Sequence, residues 1–176
     1  TTAKFRAARI CWTRIVSASG GDPATAPLSI HATTTRSMMT RNDPWVNMLR
    51  TTTACFAAAL GGADAITVEP FDSAAGLSDD TGLRLARNTQ LILQEETKVS
   101  SVIDPAGGSW YLEELTTELA RSSWKILQGL EEIGGIGKAL VTGSWQASIA
   151  QTRNARLAAL ADRSTSITGT SEFPDI

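Results

Sequence analysis

The chain has 176 residues, is 42% hydrophobic and carries a formal net charge of −2, a balance that suits one globular domain or part of a larger one. No apolar run approaches the roughly 20 residues needed to span a bilayer. The N-terminus lacks the charged-then-apolar pattern of a secretion signal, so the expected location is cytoplasmic, with no membrane partner. Scattered, mutually matched charges without a basic stripe or aromatic platform argue against a nucleic-acid partner. One histidine and two distant cysteines disfavour a zinc site of ordinary ligand spacing.

Residues 4–18 (KFRAARICWTRIVSA) set Phe5, Ala8, Trp12, Ile15 and Val16 at helical spacing, which predicts an amphipathic helix stopped by Gly20-Gly21. Residues 28–34 (LSIHATT) read as a first strand. The stretch 38–72 then reads as loop, helix, double-glycine stop and strand. Asp43 is the expected N-cap and Pro44 the first helical residue. Residues 45–60 contain no proline or glycine, and Gly61-Gly62 supplies the stop. Residues 65–68 (AITV) are the apolar, β-branched run expected of a parallel strand covered on both faces. They empty into Glu69, Pro70, Phe71 and Asp72.

Ser78 or Asp79 caps a second long helix, in which Leu83, Leu85, Ala86 and Leu91 are apolar. Residues 101–103 (SVI) read as a third strand, closed by 104–108 (DPAGG), and 110–112 (WYL) as extended. Helices follow at 113–133, stopped by Gly134-Gly135, at 138–141, and at 145–162. The tail, residues 163–176, is polar and turn-rich.

Single helices alternating with short apolar strands call for a parallel sheet. Three strands cannot close a barrel that needs eight and about 250 residues. The pattern therefore fits either a small open three-layer sheet or a piece of a barrel, and periodicity leaves both open. In either, ligands gather at the strand C-termini, here residues 31–35, 69–72 and 104–108. His31 is the lone candidate general acid, and a structural role weighs against it. Glu69 and Asp72 offer an acid–base pair, or else bonds to loop amides and the next helix. The glycine pairs match neither a dinucleotide fingerprint nor a P-loop. Cys11 and Cys55 read as buried, reduced thiols, and the five tryptophans as core and subunit interface.

Four segments in order, RNDPWVNMLRTTTACFAAALGGADAITVEPFD, RLARNTQLILQEE, VIDPAGGSWYLEELT and ITGTSEFPD, resemble the methylmalonyl-CoA mutase family, most closely its small, non-catalytic subunit. The resemblance implies an α/β chain that is a fragment of a (β/α)8 TIM barrel, about its last three strand–helix units, with C-terminal helices and a linker. Residues 1–162 then form the C-terminal part of the barrel domain. Residues 163–176 lead towards a cobalamin-binding-like domain absent from the sequence. The family's D-x-H-x-x-G cobalt-ligand segment is absent as well.

Catalytic chains resemble H-T-Q where this sequence has His31-Ala32-Thr33. They resemble L-H-T-N followed by D-E where it has Ile66-Thr67-Val68-Glu69 and then Asp72-Ser73. The resemblance therefore marks His31, Thr33, Glu69 and Ser73 as degenerate cofactor-pocket positions, with no catalytic or metal-ligating residue assigned. A carboxylate in place of an amide removes a donor and adds negative charge, which opposes a polyanionic coenzyme A. The implied function is a part of the small subunit of adenosylcobalamin-dependent methylmalonyl-CoA mutase, supporting a large catalytic subunit. Adenosylcobalamin and acyl-CoA belong to the complex, with no cofactor expected on this segment. The competing readings are a fragment of an active acyl-CoA mutase chain and an unrelated small α/β ligand-binding module. Unpaired strand edges and an apolar helix face predict self-association in isolation.

Overall fold

A computed structural model describes residues 1–175. The chain is mixed α/β and mostly helical around a two-stranded parallel sheet. It divides into two compact units, Thr1–Arg121 and the remainder from Ser122.

In the first unit, α1 (Thr2–Ala18) precedes β1 (His31–Thr33), α2 (Val46–Leu60), β2 (Ala65–Thr67) and α3 (Asp80–Leu91). β1 and β2 pair in parallel with His31 opposite Ala65 and Thr33 opposite Thr67. α1 buries only Ala3 and Ala7, and these small side chains let it close on α2. Thr2 Oγ1 donates to the Ala57 carbonyl at 3.0 Å, and a Cβ at Gly61 would lie 3.1 Å from the Thr2 backbone. α2 buries Asn47, Thr51, Cys55 and Ala58, one stripe at helical spacing. Cys55, Val68 and Leu93 form the hydrophobic core, flanked by Ile66 and Ala86.

Several local expectations change. Asp43 does not cap α2 with its side chain. Its backbone is left-handed at φ 46°, its carbonyl accepts the Val46 N–H at 3.2 Å, and Pro44-Trp45 form a turn before the helix. The helix therefore starts later than the proline signal suggests. Of the two candidate caps on α3, Asp79 accepts the Gly82 N–H at 2.8 Å. α3 runs into a π-helical turn, Ile92–Glu96, and a 3-10 turn, Val99–Ser101, follows.

Residues 101–103 are not a strand. Val102 is extended, but only two β-branched residues stand between Ser101 and Asp104-Pro105, too few to hold a ladder. β1 and β2 are also not covered on both faces: His31, Thr33, Ala65 and Thr67 are exposed and only Ala32 is buried. Trp110-Tyr111-Leu112, expected to be extended, instead open α4 (Trp110–Glu132). Glu113 explains this. Its N–H donates to the Ser109 carbonyl at 2.9 Å and its carboxylate accepts the Gly108 N–H at 3.2 Å, which favours a helix start over the strand propensity of the aromatics.

In the second unit, α5 (Gly135–Thr142) and α6 (Ser144–Ala161) follow the expected glycine stop, with φ of 99° at Gly134 and 84° at Gly135. Side chains rarely tolerate such angles. α5 buries Ala139 and α6 buries nothing. The tail folds on itself: the Ile167 carbonyl accepts from the N–H groups of Thr170, Ser171 and Glu172.

Candidate functional site

The loops at the C-terminal end of β1 and β2 bring most of the sequence-marked residues together. Side chains alternate along a strand, so residues 31 and 33 of β1 share a face, as do 65 and 67 of β2. His31 sits at the start of β1 rather than its end, is exposed, and reaches across so that Nε2 lies 2.7 Å from Thr67 Oγ1. Thr33 is Thr67's register partner. One residue on, Thr34 is buried at 6% exposure. Its N–H donates to the Thr67 carbonyl at 3.0 Å, and its hydroxyl accepts the Glu69 N–H at 2.8 Å.

The two carboxylates do not meet as an acid–base pair. Glu69 lies 3.8 Å from Arg36 Nε. Asp72 turns towards the start of α3, where Oδ2 accepts the Asp79 N–H at 3.4 Å and Oδ1 is buried without a partner. Glycine at position 82 makes room for it, because a Cβ there would meet Asp72 Oδ1 at 2.5 Å. Ser73 is 9% exposed, and its hydroxyl is likewise unpartnered. Phe71, 8% exposed, stacks on Trp45 with ring centroids 4.8 Å apart.

The residue that holds this end together is Asn47, with no exposed surface. Its Nδ2 donates to the carbonyls of Thr40 and Phe71, both at 2.8 Å. Its Oδ1 accepts the Thr40 N–H at 3.0 Å and an Arg50 guanidinium N–H at 2.7 Å. One amide thus ties the loop before α2 to the loop after β2. The sequence carried a signal for it: an amide on the stripe that otherwise buries Thr51, Cys55 and Ala58.

The third expected loop does not join the other two. The Asp104 carboxylate and Glu113, at 2.5 Å, both bind Arg6 of α1, and Gly107-Gly108 is the approach to α4. Burial works against the Arg6 charge, but bonds to Asp104 and then Glu113 hold its pKa above the ordinary value. At the start of β2, Asp64 accepts the Ile30 N–H at 2.7 Å and an Arg9 N–H at 2.9 Å. The Ile30 N–H chiefly, and then Arg9, hold its carboxyl below the usual aspartate value. Arg9 also donates to the Leu28 and Gly62 carbonyls. Both cysteines are free, as expected; Cys55 is buried, which pushes its thiol pKa up, and Cys11 is half-buried. Trp45 and Trp110 are 59% and 89% exposed, so neither is core. Among the described residues, no helix is long and apolar enough to cross a membrane.

The sequence has close relatives. A family model described as methylmalonyl-CoA mutase matches residues 1–175. The methylmalonyl-CoA mutase small subunit of Streptomyces virginiae is 52% identical over 174 residues, covering 99% of this chain and 28% of the relative. That of Propionibacterium freudenreichii subsp. shermanii is 44% identical over 177 residues, covering 100% of this chain and 28% of the relative. The methylmalonyl-CoA mutase of Cereibacter sphaeroides is 40% identical over 159 residues, covering 90% of this chain and 22% of the relative. This chain therefore spans between a fifth and three-tenths of the length of these relatives. An unrelated α/β binding module is excluded. With residues 1–175 matched by one family model and relatives up to 52% identical over nearly its whole length, the chain belongs to the methylmalonyl-CoA mutase family.

Proposed function

We propose that this chain is part of the small, non-catalytic subunit of a methylmalonyl-CoA mutase, and that it supports a large catalytic subunit in interconverting methylmalonyl-CoA and succinyl-CoA. The observation that carries the reading is the internal pairing at the strand C-termini. His31 is engaged by Thr67, the Thr34 hydroxyl by the Glu69 N–H, and the Glu69 carboxylate by Arg36. Groups committed to one another are poor positioning groups for a nucleoside or a thioester carbonyl, and Glu69 opposes a polyanionic ligand in sign. The names of the most similar relatives point the same way.

In this reading residues 1–162 belong to the C-terminal part of a (β/α)8 barrel domain, and 163–176 lead out of it as a linker. The β1–α2–β2–α3 order supports this placement, and both outer sheet edges are then sites for further strands. Adenosylcobalamin would supply the radical chemistry of the complex. The residues here do not fit its cobalt. The single histidine is engaged by Thr67 through Nε2. In this reading the cofactor and the acyl-CoA belong to the complex, in the cytoplasm.

The test is turnover of methylmalonyl-CoA by the full-length small subunit, with and without its large partner. Activity is expected only with the partner, and Thr33→Gln combined with Glu69→Asn is expected to yield none alone. Turnover by the small subunit alone would replace this reading with that of a catalytic chain. Side chains such as Leu77, Ile103 and Trp110 are largely exposed, so the 176-residue chain in isolation is expected to self-associate in light scattering. A stable monomer would count against the barrel-piece placement.

A further inference from the structure

α2 is apolar on two opposite faces. Asn47, Thr51, Cys55 and Ala58 form the stripe that it buries. At about 3.6 residues per turn, Trp45, Leu49, Phe56 and Leu60 fall on the other side, with Thr52 and Thr53 among them. Trp45, Leu49 and Phe56 are 59%, 69% and 40% exposed. Arg50 is the one charged residue of the helix, and its guanidinium is turned to Thr40 and Asn47. A surface helix carries its charges on the face that meets water, and one that is apolar all round is covered.

The exposed stripe is its own complement. Trp45 and Leu60, Leu49 and Phe56, and Thr52 and Thr53 are each symmetric about the point between the two threonines. An antiparallel copy of α2 crossing at that point sets Trp45 on Leu60, Leu49 on Phe56 and threonine on threonine. An aromatic ring meets a leucine at each outer level, and the small central pair lets the backbones approach. The Thr53 hydroxyl already donates to the Leu49 carbonyl at 2.8 Å, so covering it strands no donor.

Charge is complementary under the same operation. The two helix dipoles oppose, each positive N-terminal end lying over the partner's negative C-terminal end. Asp43 precedes the N-terminal end of α2. Lys4 belongs to the C-terminal end: its Nζ lies 5.1 Å from the Phe5 ring centre, and Phe5 borders Gly61. The two-fold therefore brings opposite signs to both margins of the patch. An aromatic, nearly uncharged centre with charges at its rim is the composition of a subunit interface. We propose that this face of α2 pairs two copies of the chain in a closed, two-fold dimer, as distinct from open-ended association through sheet edges. The pairing uses none of the degenerate pocket positions and is independent of the mutase reading.

The test is sedimentation velocity on the 176-residue chain over a range of concentrations. The expected mass is that of two chains, falling to one on dilution. Leu49→Glu and Phe56→Lys, both at exposed positions, are each expected to weaken the dimer at least about a hundredfold, since the two-fold buries each new charge twice. Combined in one chain, the new charges face each other across the axis, and affinity is expected to return to within about tenfold of wild type. Leu77→Glu, at a fully exposed loop position, is expected to change nothing. Circular dichroism checks that each variant keeps its helices; where one does not, Leu49→Ala takes its place, with about a tenfold loss expected. The proposal is overturned by a monomeric wild type, by an assembly that grows beyond two chains, by a dimer that survives Leu49→Glu, by single losses that the double variant does not reverse, or by an equal loss in Leu77→Glu. A chain that is monomeric alone, and whose full-length form releases its large subunit on Leu49→Glu, assigns the face to that subunit and overturns the self-pairing too.

Discussion

The two ends of the β1–β2 pair are built from different materials. At the C-terminal end a neutral, fully buried amide, Asn47, joins two loops through four hydrogen bonds to Thr40, Phe71 and Arg50. At the N-terminal end the joints are charged and half-exposed: Asp64 with Arg9 and Ile30, and Arg6 with Asp104 and Glu113. The first kind of joint depends little on pH or salt and is costly to break. The second is screened and titratable, so each loss is smaller. In the mutase reading, the end that has lost its chemistry is the one held more rigidly.

Replacing Asn47 by alanine is the largest perturbation. It strands the Thr40 N–H and the Phe71 carbonyl in a buried site, and unfolding free energy in urea is expected to fall by about 3 kcal/mol. A loss below about 1 kcal/mol would show that the loops are held by something else. Asp64→Ala should cost about 1.5 kcal/mol at neutral pH, through the Ile30 N–H it leaves behind. Because the folded carboxyl titrates below its ordinary value of 3.8, this contribution is complete above that value and disappears as pH falls through the depressed folded one. Wild type and Asp64→Ala should therefore differ by a constant amount near neutrality and converge in acid. A gap that widens below about pH 4 would contradict the assignment.

A smaller effect is expected at Gly82. Glycine to alanine in a helix normally stabilises by about 1 kcal/mol, but here the new methyl meets Asp72 Oδ1. Gly82→Ala is expected to lower stability by about 1 kcal/mol in the wild type and to raise it in an Asp72→Ala background. The same sign in both would mean the carboxylate moves aside freely. Smallest is Arg36→Ala. Arg36 is 75% exposed and its contact with Glu69 spans 3.8 Å, so a change under about 0.5 kcal/mol is expected in thermal unfolding.

Much of the architecture was legible because glycine pairs and helical stripes are local signals. α1, the body and glycine stop of α2 and the Gly134-Gly135 stop could be read directly, and Asp79 stood as one of two candidate caps. The third strand and the extended 110–112 segment could not. In one case a two-residue apolar run had no neighbour to pair with; in the other, Glu113 and Ser109 set a helix start against the propensity of three bulky residues. The pocket positions were visible only by resemblance. Their partners, Thr67, Arg36 and Thr34, depend on register and loop path, which no spacing encodes. Asn47 was readable in principle, as a polar residue on an apolar stripe, and Arg6 and Arg9 were not, since their acceptors lie up to 107 positions away.

The Asp64–Ile30 bond spans 34 positions with α2 between its ends. The Ile30 carbonyl also takes the N–H groups of Asp64 and Ala65, at 2.9 and 3.2 Å. Parallel pairing cannot form locally, so these bonds appear only after α2 has folded back and the intervening loop has closed. The strand–helix–strand unit is then expected to close in one step. A loosened Asp64 joint should register in the refolding rate at least as strongly as in the unfolding rate.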